Sequence, residues 1–196
     1  MNLLKHMGLI KERHLYDAMR EYYSKIKDYT FFAEEPISDI PDSILREYMK
    51  GNYLIKKKNK DNFNALTQKY NTEVPEIVKE YYSYCHPFIA GQHKNNPHKT
   101  ESLFLYSAVN PNLVDALSKD IGYWVEYNTI NIEEYFPIGW VGYNESSIVL
   151  ERKTGHILVE YGFAENPADD KEGELWPLPL ADSLYSFIRE LEPYWF

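Results

Sequence analysis

An α+β fold is what this sequence predicts. Two observations predict it: short apolar segments separated by glycine turns between Phe136 and Val159, and helix-spaced apolar residues before and after them. Gly139 and Gly142 break the first run, Asn144-Glu145-Ser146 makes a polar turn, and Ile148-Val149-Leu150 is apolar but too short for a helix. Lys153-Thr154-Gly155 reads as a hairpin turn in which Gly155 takes a positive φ without a Cβ clash, and His156 to Val159 as the returning strand. Paired strands with apolar faces need a cover, and the flanking helical segments are placed to supply it.

Taken in order, Leu15, Ala18, Met19, Tyr22 and Ile26 recur at helical spacing among charged residues and predict an amphipathic helix over 9–28. Glu34 to Pro41 is a connector, because each proline turns the preceding residue away from helix. Asp42 or Ser43 then caps a short helix that Gly51 ends. The basic run Lys56-Lys57-Lys58-Asn59-Lys60 has no interleaved aromatic or arginine and reads as a solvated linker. Phe63, Leu66 and Tyr70 give one helical face, Asn71 to Pro75 a turn with the proline at the first helical position, and Ile77, Val78, Tyr81 and Tyr82 a second helix. Cys85 to His98 reads as a polar loop and Leu103 to Tyr106 as a strand. Asn110-Pro111 opens a helix carrying Leu113, Val114 and Leu117, which Gly122 stops, and Tyr123-Trp124-Val125-Glu126-Tyr127 is a further strand. After Val159 the chain becomes acidic and loop-like. Trp176 to Pro179 re-enters the core, and Leu184, Phe187, Ile188 and Leu191 form the buried stripe of a last helix, with Asp182 in its first turn.

At 196 residues the chain is long enough to bury a core without metal or disulfide staples, and it reads as one domain. Its 18 tyrosines favour half-buried and interface positions. The single cysteine excludes an internal disulfide, and Lys5, His6 and Gly8 interrupt the N-terminal apolar residues, so a soluble cytoplasmic protein with no membrane span is expected. The net charge of −9 is uneven: residues 1–100 hold 16 Lys and Arg against 13 Asp and Glu, residues 101–196 hold 5 against 17. An acidic second half repels nucleic acid and speeds association with basic partners.

The chain carries no glycine-rich phosphate loop, nucleophile elbow, His-Glu-x-x-His pair or Cys-x-x-Cys pair. His86, His93 and His98 are weak metal candidates, since their intervals match no zinc signature, and no cofactor is expected. Adjacent Cys85 and His86 project to opposite sides of an extended chain, which argues against a dyad. A hydrolase built from distant residues is the third reading.

Three segments together resemble the SUKH superfamily, which includes bacterial toxin-immunity proteins, fungal cell-wall synthesis regulators and a SecY-interacting protein. Phe63 to Tyr82 is similar to its early helix, hydrophobic-proline turn and second helix. Pro137-Ile138-Gly139-Trp140 through Thr154-Gly155-His156-Ile157 is similar to its central strands, and Leu180-Ala181-Asp182-Ser183-Leu184 to Ile188 to its closing helix. The likeness covers roughly residues 60–192. Cys85-His86-Pro87 stands where the family has an Asn-Gly turn, and residues 1–58 lie outside the pattern.

The resemblance implies a mixed, largely antiparallel sheet with a central meander, covered by N-terminal and C-terminal helices, in a domain of residues 59–196 on which a helical extension of residues 1–58 packs. It further implies a monomeric or weakly dimeric immunity protein, not an enzyme, that binds and neutralises a toxin domain. A nuclease toxin is basic at its substrate groove, which suits an acidic inhibitor. The surface expected to bind comprises Glu133, Glu134, Trp140, Tyr143, Glu145, Asp169, Asp170, Glu172 and Glu174. Taken singly, each acid is first a solvated loop residue, and Trp140 first a core residue. The alternative is a regulatory adaptor bound to a housekeeping or translocase protein.

Overall fold

A computed structural model describes residues 15–25, 55–56, 62–85, 89–97, 101–107, 112–127, 130–142, 146–161 and 176–193. Six strands, β3 (Ile89–Gly91), β4 (Leu103–Leu105), β5 (Tyr135–Val141), β6 (Ser147–Glu151), β7 (Ile157–Tyr161) and β8 (Trp176–Ala181), lie side by side in chain order. Every pairing is antiparallel, so the sheet is a continuous meander and the expected parallel admixture does not occur among the described residues. A separate two-stranded ribbon joins β1 (Ile55–Lys56) to β2 (Tyr84–Cys85). The first lysine of the basic run therefore belongs to a strand, and the expected loop at 85–98 contains strand residues at both β2 and β3.

The helices are α1 (15–24), α2 (Asn64–Tyr70), α3 (Glu76–Tyr81), α4 (Leu113–Tyr127) and α5 (Leu184–Glu190). Asn71 ends α2 with φ 50°, a left-handed conformation that asparagine tolerates, and Pro75 sits one position earlier than expected, at the N-cap of α3. Ser183 caps α5 by accepting the Ser186 N–H at 3.1 Å, which leaves Asp182 outside the first turn where it was expected. The α1 residues Leu15, Ala18, Met19, Tyr22 and Tyr23 share one core with Leu66, Val78, Tyr81, Leu184, Phe187, Ile188 and the inward strand residues Ile89, Leu103, Leu105, Phe136, Ile148 and Val159. Each large side chain in that set stabilises the fold by roughly 1.5–3 kcal/mol relative to exposure.

The expected strand at 123–127 is the end of α4, and Gly122 lies inside that helix instead of stopping it. The reason is tertiary. A Cβ at Gly122 would stand 2.9 Å from the Tyr70 hydroxyl, which donates to the Ser118 carbonyl at 2.6 Å. The glycine is the notch through which α2 docks on α4, and that docking offsets the roughly 1 kcal/mol that glycine costs in a helix interior.

Both edges of the sheet are closed. On β3 the Tyr22 hydroxyl donates to the Ala90 carbonyl at 2.6 Å and accepts the Ala90 N–H at 3.0 Å, while Gln92 and Glu192 bridge by two backbone bonds of 2.9 Å. On β8, Pro177 and Pro179 withhold two N–H groups from any added strand. That segment enters the core through Leu180, not Leu178, which is 37% exposed.

Candidate protein-binding site

Nine surface residues were expected to bind together, and the described structure contains three of them. Tyr143, Glu145, Asp169, Asp170, Glu172 and Glu174 lie outside the described residues, as do His86 and His98. Glu133 and Glu134 are exposed in the turn that enters β5. Asn131 builds that turn: its side-chain oxygen accepts the Glu133 N–H at 3.0 Å, and its amide donates to the Glu134 carboxylate at 3.2 Å. Arg152 holds the turn from behind. Its Nε donates to the Ile132 carbonyl at 3.0 Å, its Nη2 to Thr72 Oγ1 at 2.6 Å, its Nη1 to the Glu73 carbonyl, and its backbone N–H to the Glu134 carbonyl at 2.8 Å.

Trp140 stands near the other end of β5, on the order of 15–20 Å away at strand rise. A β-bulge between Pro137 and Gly139 decides which way it faces. Phe136 and Ile138 point into the core; the extra residue then switches the alternation, so that Val141 is buried and Trp140 turns to the opposite face. There it stacks on Phe104 at 5.5 Å with ring planes 10° apart, and meets Tyr106 at 5.1 Å. Gly139 makes this approach possible, since a Cβ there would lie 2.0 Å from the Phe104 carbonyl oxygen. Trp140 is half-buried, neither core nor fully exposed.

Helix α4 joins these two ends, and its course beyond Gly122 is the part that sequence reasoning missed. The Tyr106 hydroxyl donates to the Asp120 carboxylate. Asp120, Tyr123 and Tyr127 follow at i, i+3 and i+7, one helical stripe, and the two tyrosine rings contact each other at 4.6 Å while remaining 56% and 59% exposed. The chain then passes into the Glu133-Glu134 turn. Contacts thus link Phe104, Trp140, Tyr106 and Asp120 in one strip, which Tyr123 and Tyr127 extend along the helix; Glu126, Glu133 and Glu134 are exposed acids that follow in the chain.

Its electrostatics are negative. Burial pushes the Asp120 carboxyl up to about 6, and among the described residues no cation pairs with it. Burial, and then the neighbouring Glu134 and Glu151 charges, raise the Tyr135 phenol. The last turn of α4 holds Glu126 and no basic residue, so the partial negative charge of the helix C-terminus is uncompensated within the helix. Lys119 is the one basic residue in the last nine positions of α4.

His93 lies elsewhere. It is buried against Phe187, ring centres 5.4 Å apart, with Nε2 3.6 Å from the Glu190 carboxylate, which Lys94 also reaches at 2.7 Å. No group of three or more His, Cys, Asp or Glu is placed to hold a metal among the described residues. No helix among them is long and apolar enough to cross a membrane. No family model matches the chain, and a search of curated proteins returns no match.

The signal that would have revealed the strip was present in the sequence. Asp120, Tyr123 and Tyr127 have helical spacing, and reading Gly122 as interior would have placed them on one face.

Proposed function

We propose that the protein is a binding protein of the immunity type, which occupies and neutralises a basic toxin domain through this strip. One observation carries the reading: two exposed tyrosine rings share a helix stripe with Asp120, a half-buried carboxylate that has no cationic partner among the described residues. Tyrosine and tryptophan supply large contact area at low entropic cost, and an acidic rim steers a basic partner. The closed sheet edges favour a face over strand addition as the mode of contact. The resemblance of residues 60–192 to the SUKH superfamily points the same way.

The test is co-expression with the toxin domain encoded beside it, followed by purification and titration of the complex against salt. A complex of about nanomolar affinity or tighter, whose association rate falls steeply with salt, is the expected result. Failure to co-purify, or an association rate indifferent to salt, overturns the reading; stable capture of a translocase component in its place supports the adaptor.

A further inference from the structure

Within the strip, Asp120 differs from the surrounding acids. Glu126, Glu133 and Glu134 are exposed, whereas Asp120 is half-buried against Tyr106. Tyr106, itself against Trp140, donates to one carboxylate oxygen. Tyr123 stands one turn further along the same helix face, with Tyr127 beyond it. Among the described residues the second oxygen makes no hydrogen bond and no ion pair.

We propose that Asp120 is the seat of a single arginine side chain of the partner protein, its guanidinium held by the carboxylate and flanked by the Tyr106–Trp140 rings on one side and the Tyr123–Tyr127 rings on the other. The assignment rests on the proposed protein-binding role of the strip. Charge complementarity selects a cation. The rings select its shape, because a planar, weakly hydrated guanidinium stacks on aromatic faces and donates in a fork, whereas an ammonium is a strongly hydrated point charge. In the free protein, burial makes the Asp120 charge costly, and an incoming guanidinium removes that cost.

The full-length protein, titrated with three blocked tripeptides, Gly-Arg-Gly, Gly-Lys-Gly and Gly-citrulline-Gly, while NMR follows the Trp140 indole and the tyrosine rings, tests this directly. The expected result is saturable shifts at the Trp140, Tyr106, Tyr123 and Tyr127 rings with the arginine peptide, weaker ones with lysine and none with citrulline. Asp120→Asn, which retains an acceptor for Tyr106, is expected to weaken arginine binding about tenfold. Shifts spread over the acidic surface, equal binding of lysine or citrulline, or arginine binding unchanged in Asp120→Asn overturns the proposal. The two levels separate in the toxin complex. If Asp120→Asn binds the toxin domain as tightly as wild type, the arginine seat fails and the immunity reading stands; if wild type forms no complex, the immunity reading fails.

Discussion

The two flanks of the sheet handle charge in opposite ways. Beside β3, where α1 and α5 close the fold, charges are matched within the chain. Lys25 donates to the Arg189 and Leu191 carbonyls and pairs with Glu192, Arg189 pairs with Glu21 at 2.9 Å, and Lys94 pairs with Glu190. Beside α4, Asp120, Glu126 and Glu133 pair with no cation among the described residues, and two tyrosines remain more than half exposed. The first flank is complete as folded. The second presents what a partner could complete, and substitutions on the two flanks should therefore separate stability from binding.

The largest effect is expected on the closed flank. Phe187 is fully buried against His93, and Phe187→Ala should cost about 3–5 kcal/mol in urea denaturation. A loss below about 1 kcal/mol would show that this flank is not the core it is taken to be. Next comes Tyr22→Phe. Removing the hydroxyl strips both Ala90 backbone groups of their partner, for an expected loss of about 1–3 kcal/mol and faster hydrogen exchange at the Ala90 amide. Unchanged exchange would refute the edge-capping role.

On the open flank the sign reverses. The Asp120 carboxyl is raised from its ordinary 3.8 to about 6 by burial, so the folded state holds its proton more tightly than the unfolded chain does. Ionisation therefore costs stability: nothing below about pH 4, and the whole amount above about pH 6. Tyr106 donates to this group, and Lys119 and Tyr123 are its charged or titratable neighbours along the helix. Asp120→Asn should stabilise the free protein by about 1–2 kcal/mol at pH 7, a figure reduced for the group's partial exposure, and the gain should vanish by about pH 4. Loss of stability at neutral pH would contradict the assignment. The smallest change in folding is expected from Tyr123→Ala with Tyr127→Ala, within about 0.5 kcal/mol of wild type. If the proposed toxin partner is bound through the strip, the same double variant should weaken that binding by at least about 30-fold. Normal binding would remove the tyrosine pair from the interface.

The meander was legible because its signals are local. Thr154-Gly155 turns with Gly155 at φ 81°, and the strands on either side alternate apolar residues at short range. Helix α5 was legible for the same reason. The segment Tyr123 to Tyr127 was not: its aromatic and β-branched residues favour strand locally, and the contact that makes Gly122 a helix-interior residue comes from Tyr70, 52 positions earlier. The candidate site divides along the same line. Glu133 and Glu134 were placed correctly in an exposed turn, and Trp140 was read as core or contact without its bulge. Tyr106 and Asp120 were not singled out, because a helix must lie alongside β5 before they meet.

By itself, then, the order of residues determined the hairpins, the capped last helix, the amphipathic faces and the concentration of negative charge in the second half. Those depend on backbone preferences and spacing over a few residues. Tertiary structure decided which carboxylate became half-buried, which face Trp140 took, and that α4 continued through its glycine. Each of these outcomes comes from packing between segments distant in the chain, and local propensity has no access to that free energy.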